Sequence, residues 1–140
     1  MTRVVVDASL AVKWFIPEEL SADARMFLAA EYELLAPDLL WAELGNALWK
    51  KHRRRELDPR TARRLLRDFS RIPIEYHASQ RWTETALELA IQHGVTVYDG
   101  LYLALATGSG CRLVTADRRL HEACREGPLR RFVEWVRGIP

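Results

Sequence analysis

Cysteine is scarce in this 140-residue chain: the two present, Cys111 and Cys124, have no paired spacing. That argues against a disulfide framework and fits a reducing cytoplasm. Long apolar runs are missing as well. None approaches the 18 or more residues of a membrane span, although hydrophobic residues make up 49% of the chain, enough for a substantial core. The start, "MTRVVVDAS", passes straight into a strand-like run, so no signal peptide is expected. The glycines form no Walker phosphate loop, and "GSGCRL" lacks the third glycine of a dinucleotide fingerprint. There is no G-x-S-x-G elbow. No lysine follows Lys51 and a single acid follows the first strand-like run, which argues against a phosphoacceptor receiver module. His121 and Cys124 are a lone i, i+3 pair, short of a zinc site.

What the chain does have is charge, unevenly placed. The formal net charge is +2, yet residues 50–71 hold ten Lys or Arg and three Asp or Glu, a local +7. The remainder carries −5, with eleven basic and sixteen acidic side chains. Such a division suits an anionic polymer on one surface and a cation on another, although an arginine-rich solvated helix face gives the same count.

The length is that of one domain, residues 1–140. Strand-like and helix-like runs alternate. "RVVV" (3–6) reads as a buried strand, and "ASLAVKWF" as a short helix stopped near Pro17. Ser21 is placed to cap a helix through "ADARMFLAAEY", and "ELLAP" is a short strand. Asp38 is placed to cap a long helix, "DLLWAELGNALWKKHRRRE". Asp58 and Pro59 open another, "PRTARRLLRDFSR". "IPIEYHA" reads as a strand, and "SQRWTETALELAIQHG" as a helix ending at Gly94. "VTVYD" reads as a strand leading into an apolar helix over 100–107. "RLVTA", "RRLHEACRE" and "RFVEWV" complete the chain as strand, helix and strand. This alternation predicts an α/β fold with a parallel sheet covered on both faces. In such folds ligands bind beyond the carboxyl ends of the strands.

Acids stand at those ends. Asp7 follows "VVV", Asp99 follows "VTVY" and Asp117 follows "RLVTA". Glu43 lies early in the long helix, flanking the stripe of Leu40, Leu44, Ala47 and Leu48. Each acid has an ordinary explanation: the aspartates as helix caps, Glu43 as a partly exposed helical residue. Together on one sheet edge they would repel one another, so some would take up protons or a divalent cation would offset their charge. Oxygen donors without His or Cys suit Mg²⁺ or Mn²⁺. Ser9, two residues after Asp7, and Thr115, two before Asp117, are placed to hold a carboxylate or a metal-bound water, or simply to make turn hydrogen bonds. Arg53, Arg54 and Arg55 are candidates for gripping the backbone of such an anionic polymer. The histidines lie away from the acids in sequence. The five tryptophans sit at positions better suited to packing than to base stacking.

The stretches "VVVDASLAVKWFIPEE", "APDLLWAELGNALWK", "YDGLYLALA" and "LVTADRRL" resemble, in order and spacing, the PIN domain family, and within it the VapC-type ribonuclease toxins of toxin–antitoxin pairs. The resemblance implies a three-layer α/β/α sandwich around a parallel sheet of four to five strands. It also implies an endoribonuclease dependent on Mg²⁺ or Mn²⁺, with Asp7, Glu43, Asp99 and Asp117 as catalytic and metal-binding acids. Asp7 and Asp99 are then the main ligands, and Ser9 and Thr115 the polar residues beside them. A homodimer, a cognate antitoxin protein and an RNA substrate are the implied partners, with no membrane and a cytoplasmic location. Gly100 departs from the pattern, standing where alanine is frequent and weakening the helix start. Two other functions share these residues: an RNA-processing PIN nuclease without an antitoxin, and a PIN-like module that binds RNA or protein without cutting.

Overall fold

The computed structural model describes residues 1–138, and Ile139 and Pro140 lie outside the described residues. The elements run β1 (Thr2–Val6), α1 (Ala8–Phe15), α2 (Ser21–Arg25), a 3-10 turn (Met26–Leu28), β2 (Tyr32–Pro37), α3 (Leu39–Arg53) and α4 (Pro59–Phe69). There follow β3 (Ile74–His77), α5 (Ser79–His93), α6 (Val97–Ser109), β4 (Arg112–Thr115), α7 (Arg118–Ala123), a second 3-10 turn (Arg130–Phe132) and β5 (Val133–Trp135).

The five strands are all parallel, in the order β3-β2-β1-β4-β5. The chain winds outward from β1 to β3, crosses back, and adds β4 and β5 on the other side. The switch point therefore lies between β1 and β4, where Val4, Val5 and Val6 pair with Arg112, Leu113 and Val114. At such a point the connections leave the two strands in opposite directions and open a crevice at their carboxyl ends.

Alternation along the strands builds two cores, as expected for a sheet buried on both faces. Val4, Val6, Leu34, Ala36 and Val114 pack with Leu10, Trp14, Leu40, Leu44 and Phe69 from the α1–α4 side. Val5, Leu35 and Leu113 pack with Tyr102, Leu103, Leu105 and Leu120 from α6 and α7. Helices on each face of one sheet make the three-layer α/β/α architecture expected from the sequence. No helix of the described residues is long and apolar enough to cross a membrane.

Three expectations are corrected. "VTVY" forms no strand: Thr96 caps α6 by accepting from the Asp99 amide at 3.1 Å, so helix begins at Val97. The β-branched run favoured a strand, but that preference is weak against a good cap. The helix expected from Ser21 to Tyr32 is broken into α2 and a 3-10 turn. Ser21 does not cap it; its hydroxyl donates to the Ile16 carbonyl and accepts from the Glu18 amide, closing the preceding loop. Asp38 makes no side-chain cap to α3. Its carboxylate instead accepts from the amide and hydroxyl of Ser79, and the Ser79 hydroxyl accepts from the Leu39 amide. Each residue serves the other's helix start, 41 positions away.

Gly100 has a tertiary reason. A Cβ there would stand 2.5 Å from the Ala86 carbonyl oxygen, because α5 lies directly against α6. Alanine would gain about 1 kcal/mol of helix propensity, but the obstacle is backbone and cannot swing aside. We expect Gly100→Ala to be destabilising by about 1–2 kcal/mol net, read as a lower urea midpoint. An unchanged or higher midpoint would show that α5 yields without cost.

Candidate active site

Asp7 follows β1 directly and caps α1. Its carboxylate accepts from the Leu10 amide at 3.1 Å and the Ser9 hydroxyl at 2.6 Å on one oxygen, and from the Thr115 hydroxyl at 2.5 Å on the other. The Ser9 and Thr115 oxygens in turn accept the Ala116 and Asp117 amides, each at 3.0 Å. This network stitches the ends of β1 and β4 together at the switch point. Asp7 is 6% exposed and Thr115 fully buried. Burial, reinforced by the nearby Asp117 charge, pushes the Asp7 carboxyl up to about 6 in spite of its three donors.

Asp117 caps α7, accepting from the Arg119 and Leu120 amides. Asp99 sits in the first turn of α6 and, with Thr96 doing the capping, its carboxylate faces elsewhere. Arg119 donates to it at 3.0 Å and lies 3.6 Å from an Asp117 oxygen, so one guanidinium joins two of the predicted acids. Glu43 is half-buried on α3, one turn beyond the buried Leu40. It accepts from the Tyr102 hydroxyl of α6 at 2.6 Å. Since α3 and α6 cover opposite faces of the sheet, that bond joins the two outer layers across its carboxyl edge. Burial and the Asp99 charge raise the Glu43 carboxyl above its ordinary value. Burial and the charges of Glu43, Asp7 and Asp99 raise the Tyr102 hydroxyl well above its own.

The four acids thus share one electrostatic neighbourhood. Asp7 feels Asp117, Glu43 feels Asp99, and Tyr102 feels Glu43, Asp7 and Asp99. Among the described residues no three acidic, histidine or cysteine side chains stand together in the arrangement of a metal site. The acids are linked instead through Arg119 and Tyr102. Sequence reading missed both of these residues. Tyr102 was legible as the one hydroxyl within the apolar run "LYLALA", three residues beyond Asp99, and Arg119 as the arginine two residues beyond Asp117.

The remaining expectations fall outside this pocket. Arg53 ends α3, and Arg54 and Arg55 follow it. Arg53 is ten residues past Glu43, about 15 Å along the helix, so the basic run lies at the opposite end of α3 from the acids. Its Arg53 guanidinium rests over the Trp49 ring at 5.1 Å. Among the histidines, His52 bonds the Leu57 carbonyl, His77 bonds Glu75, and His121 packs on Trp135. Trp14 and Trp41 pack around Phe69, while the Trp82 ring lies against Gly108.

A parallel α/β/α sandwich with Asp7 buried and Asp117 half-buried at its switch point, and Asp99 and Glu43 tied in through Arg119 and Tyr102, defines the class of domain. Residues 4–126 match the PIN domain family, and the chain belongs to that family. Ribonuclease VapC3 of Pyrobaculum aerophilum is 38% identical over 122 residues, covering 86% of this chain and 93% of the relative. Ribonuclease VapC1 of Mycobacterium tuberculosis is 37% identical over 124 residues, covering 88% and 92%. Among solved structures, PAE2754 from Pyrobaculum aerophilum superposes with a TM-score of 0.67 at 30% identity, covering 87% of this chain and 79% of the other. VapC20 of Mycobacterium tuberculosis, a sarcin-ricin loop cleaving toxin, superposes with a TM-score of 0.61 at 14% identity, a likeness of fold.

Proposed function

We propose that this protein is a metal-dependent endoribonuclease, the toxin of a toxin–antitoxin pair. The observation that carries the reading is Asp7: a carboxylate buried at the switch point, held by three donors and within the field of a second acid, Asp117. A fold gains nothing from concentrating negative charge there unless a cation or substrate uses it. The names of the relatives, ribonucleases of the VapC group, support the same substrate class.

The donor set is all oxygen, which suits Mg²⁺ or Mn²⁺. Asp7, Asp99, Asp117 and Glu43 would hold the ion, which when bound supplies charge neutralisation at the phosphate and a more acidic water. The chain's own residues do the rest. Ser9, Thr115 and the Leu10 amide fix the Asp7 oxygens in direction. Tyr102 fixes Glu43, whose carboxyl is held above its ordinary value by burial and the Asp99 charge, and a carboxylate fixed in this way would orient the attacking water and accept its proton. Arg119, bonded to Asp99, brings a positive group to the edge of the pocket where the phosphate arrives.

Cleavage by this route leaves 5′-phosphate and 3′-hydroxyl ends. The test is digestion of RNA by the purified chain with Mg²⁺ or Mn²⁺, followed by mapping of the ends. Products ending in 2′,3′-cyclic phosphate would refute the reading, because they require attack by the ribose hydroxyl.

The basic run belongs to this reading as a remote backbone contact. Replacing Arg53, Arg54 and Arg55 with alanine should weaken RNA binding several-fold and flatten its salt dependence, with each lost phosphate contact removing about 0.7 from the slope of log affinity on log salt. Filter binding at several salt concentrations measures it, and identical slopes would reduce the run to a solvated face. A homodimer and an antitoxin complete the proposal. Leu87 and Ile91, one turn apart on α5, are 50% and 75% exposed and suit an interface with a second copy.

A further inference from the structure

Beside the acids lies a second feature that sequence reading did not single out. A groove of about 860 Å³ runs between α7, the Arg130–Phe132 turn and β5. Arg118, His121, Arg125, Arg130, Arg131 and Trp135 are among its walls. Its charge is only partly balanced. Glu122 lies 3.4 Å from Arg125, and Glu134 lies 3.9 Å from Arg112. Arg118, Arg130 and Arg131 are exposed and, among the described residues, have no acidic partner. Two of them lie over aromatic rings: Arg118 over Trp135 at 5.5 Å and Arg131 over Phe132 at 4.9 Å.

The groove is continuous with the acid pocket. Arg118 follows Asp117, which caps α7, and Trp135 pairs in register with Thr115, whose hydroxyl holds Asp7. A strand whose phosphate lies at the acids therefore has a cationic channel one β-strand away. We propose that this groove binds the sugar–phosphate backbone of single-stranded RNA next to the cut. Arg118, Arg130 and Arg131 contact phosphates, and the Trp135 and Phe132 rings lie under the guanidinium planes and adjacent bases. Unpaired arginines beside aromatic rings are the combination that grips single strands without reading sequence. The inference rests on the ribonuclease reading above, and it specifies where the substrate runs.

The test uses Asp7→Asn protein, so that RNA is not consumed, and a labelled single-stranded RNA followed by fluorescence anisotropy. Arg118→Ala, Arg130→Ala and Arg131→Ala combined should weaken binding at least tenfold at 0.1 M salt. The slope of log affinity on log salt should become shallower by about 2, three contacts at about 0.7 each. In the cleavage-competent chain that retains Asp7, the same triple change should raise KM far more than it lowers kcat. Thermal melts check folding, and a triple lysine variant, which keeps the charge, should restore the slope. Affinity within threefold of the parent, or an unchanged slope, overturns the groove. If RNA is still cut efficiently by that triple variant, the ribonuclease reading stands without the groove; if the unsubstituted chain cuts no RNA at all, both fall.

Discussion

Replacing Asp7 with asparagine is expected to remove RNA cleavage while making the folded chain more stable at neutral pH. The two effects have one cause. Burial raises the Asp7 carboxyl from 3.8 to about 6, so folding favours its neutral form. The stability carried by that neutral form is complete below pH 3.8 and is lost as pH rises through about 6. The loss at neutral pH is about 3 kcal/mol, from a difference of about two pKa units at 1.36 kcal/mol each. Asparagine has nearly the same shape and no charge, and the Ser9 and Thr115 hydroxyls can rotate to accept from its amide. Its stability should therefore match that of the parent near pH 4 and exceed it increasingly towards pH 7. Urea melts of both proteins across that range measure the gap, which Mg²⁺ should narrow by stabilising only the parent. A gap that stays constant with pH would mean that Asp7 is solvated and the pocket is not what it is taken to be. For cleavage, losing an anion that supports several kcal/mol of charge stabilisation corresponds to a fall of about 10²- to 10⁴-fold. An asparagine variant that cuts RNA at the parent's rate would remove Asp7 from the chemistry.

The second large effect lies in the core. Phe69 is fully buried at the last position of α4. It stacks on Trp14 at 6.0 Å and meets Phe15 and Trp41 edge-on at 6.2 and 5.2 Å. The rest of α4 is rich in arginine, and Phe69 is its only buried residue. Phe69→Ala should cost about 3–5 kcal/mol, a large share of the about 5–15 kcal/mol that holds a typical domain together. Phe69→Leu, which keeps most of the apolar volume, should cost less than about 1.5 kcal/mol. Chemical denaturation reads both. A loss below 1 kcal/mol for alanine, an order-of-magnitude threshold for core truncation, would mean that α4 is not anchored through this ring.

The same contrast between local and distant causes separates what was legible in the sequence from what was not. The alternation of β-branched runs with helical periodicity is a local pattern. Its reading as a parallel sheet covered on both faces holds for four of the strand-like runs flanking the site and its margins, "RVVV", "ELLAP", "RLVTA" and "RFVEWV", and for the edge strand within "IPIEYHA". Caps that lie within one turn were legible too: Asp58 bonds the Thr61 amide and Gly94 closes α5 in the left-handed conformation. "VTVYD" misled because its β-branched residues and its cap signal compete within five positions, and the cap prevailed. The aspartates were legible individually as residues at element ends, and Glu43 as a helical residue beside an apolar stripe.

By itself, then, the sequence determined the layer architecture, the types of most elements and the places of the four acids along the chain, because each depends on neighbours within a few positions. Only the tertiary structure decided who holds them. Thr115 reaches Asp7 across 108 positions, Tyr102 reaches Glu43 across 59, and Arg119 reaches Asp99 across 20. It also decided that Ser79 and Asp38 serve each other's helices, that Gly100 must lack a side chain, and that Arg118 and Trp135 border one groove. Those partnerships depend on strand order and on the approach of helices over the sheet edge, which no periodicity of residue types encodes.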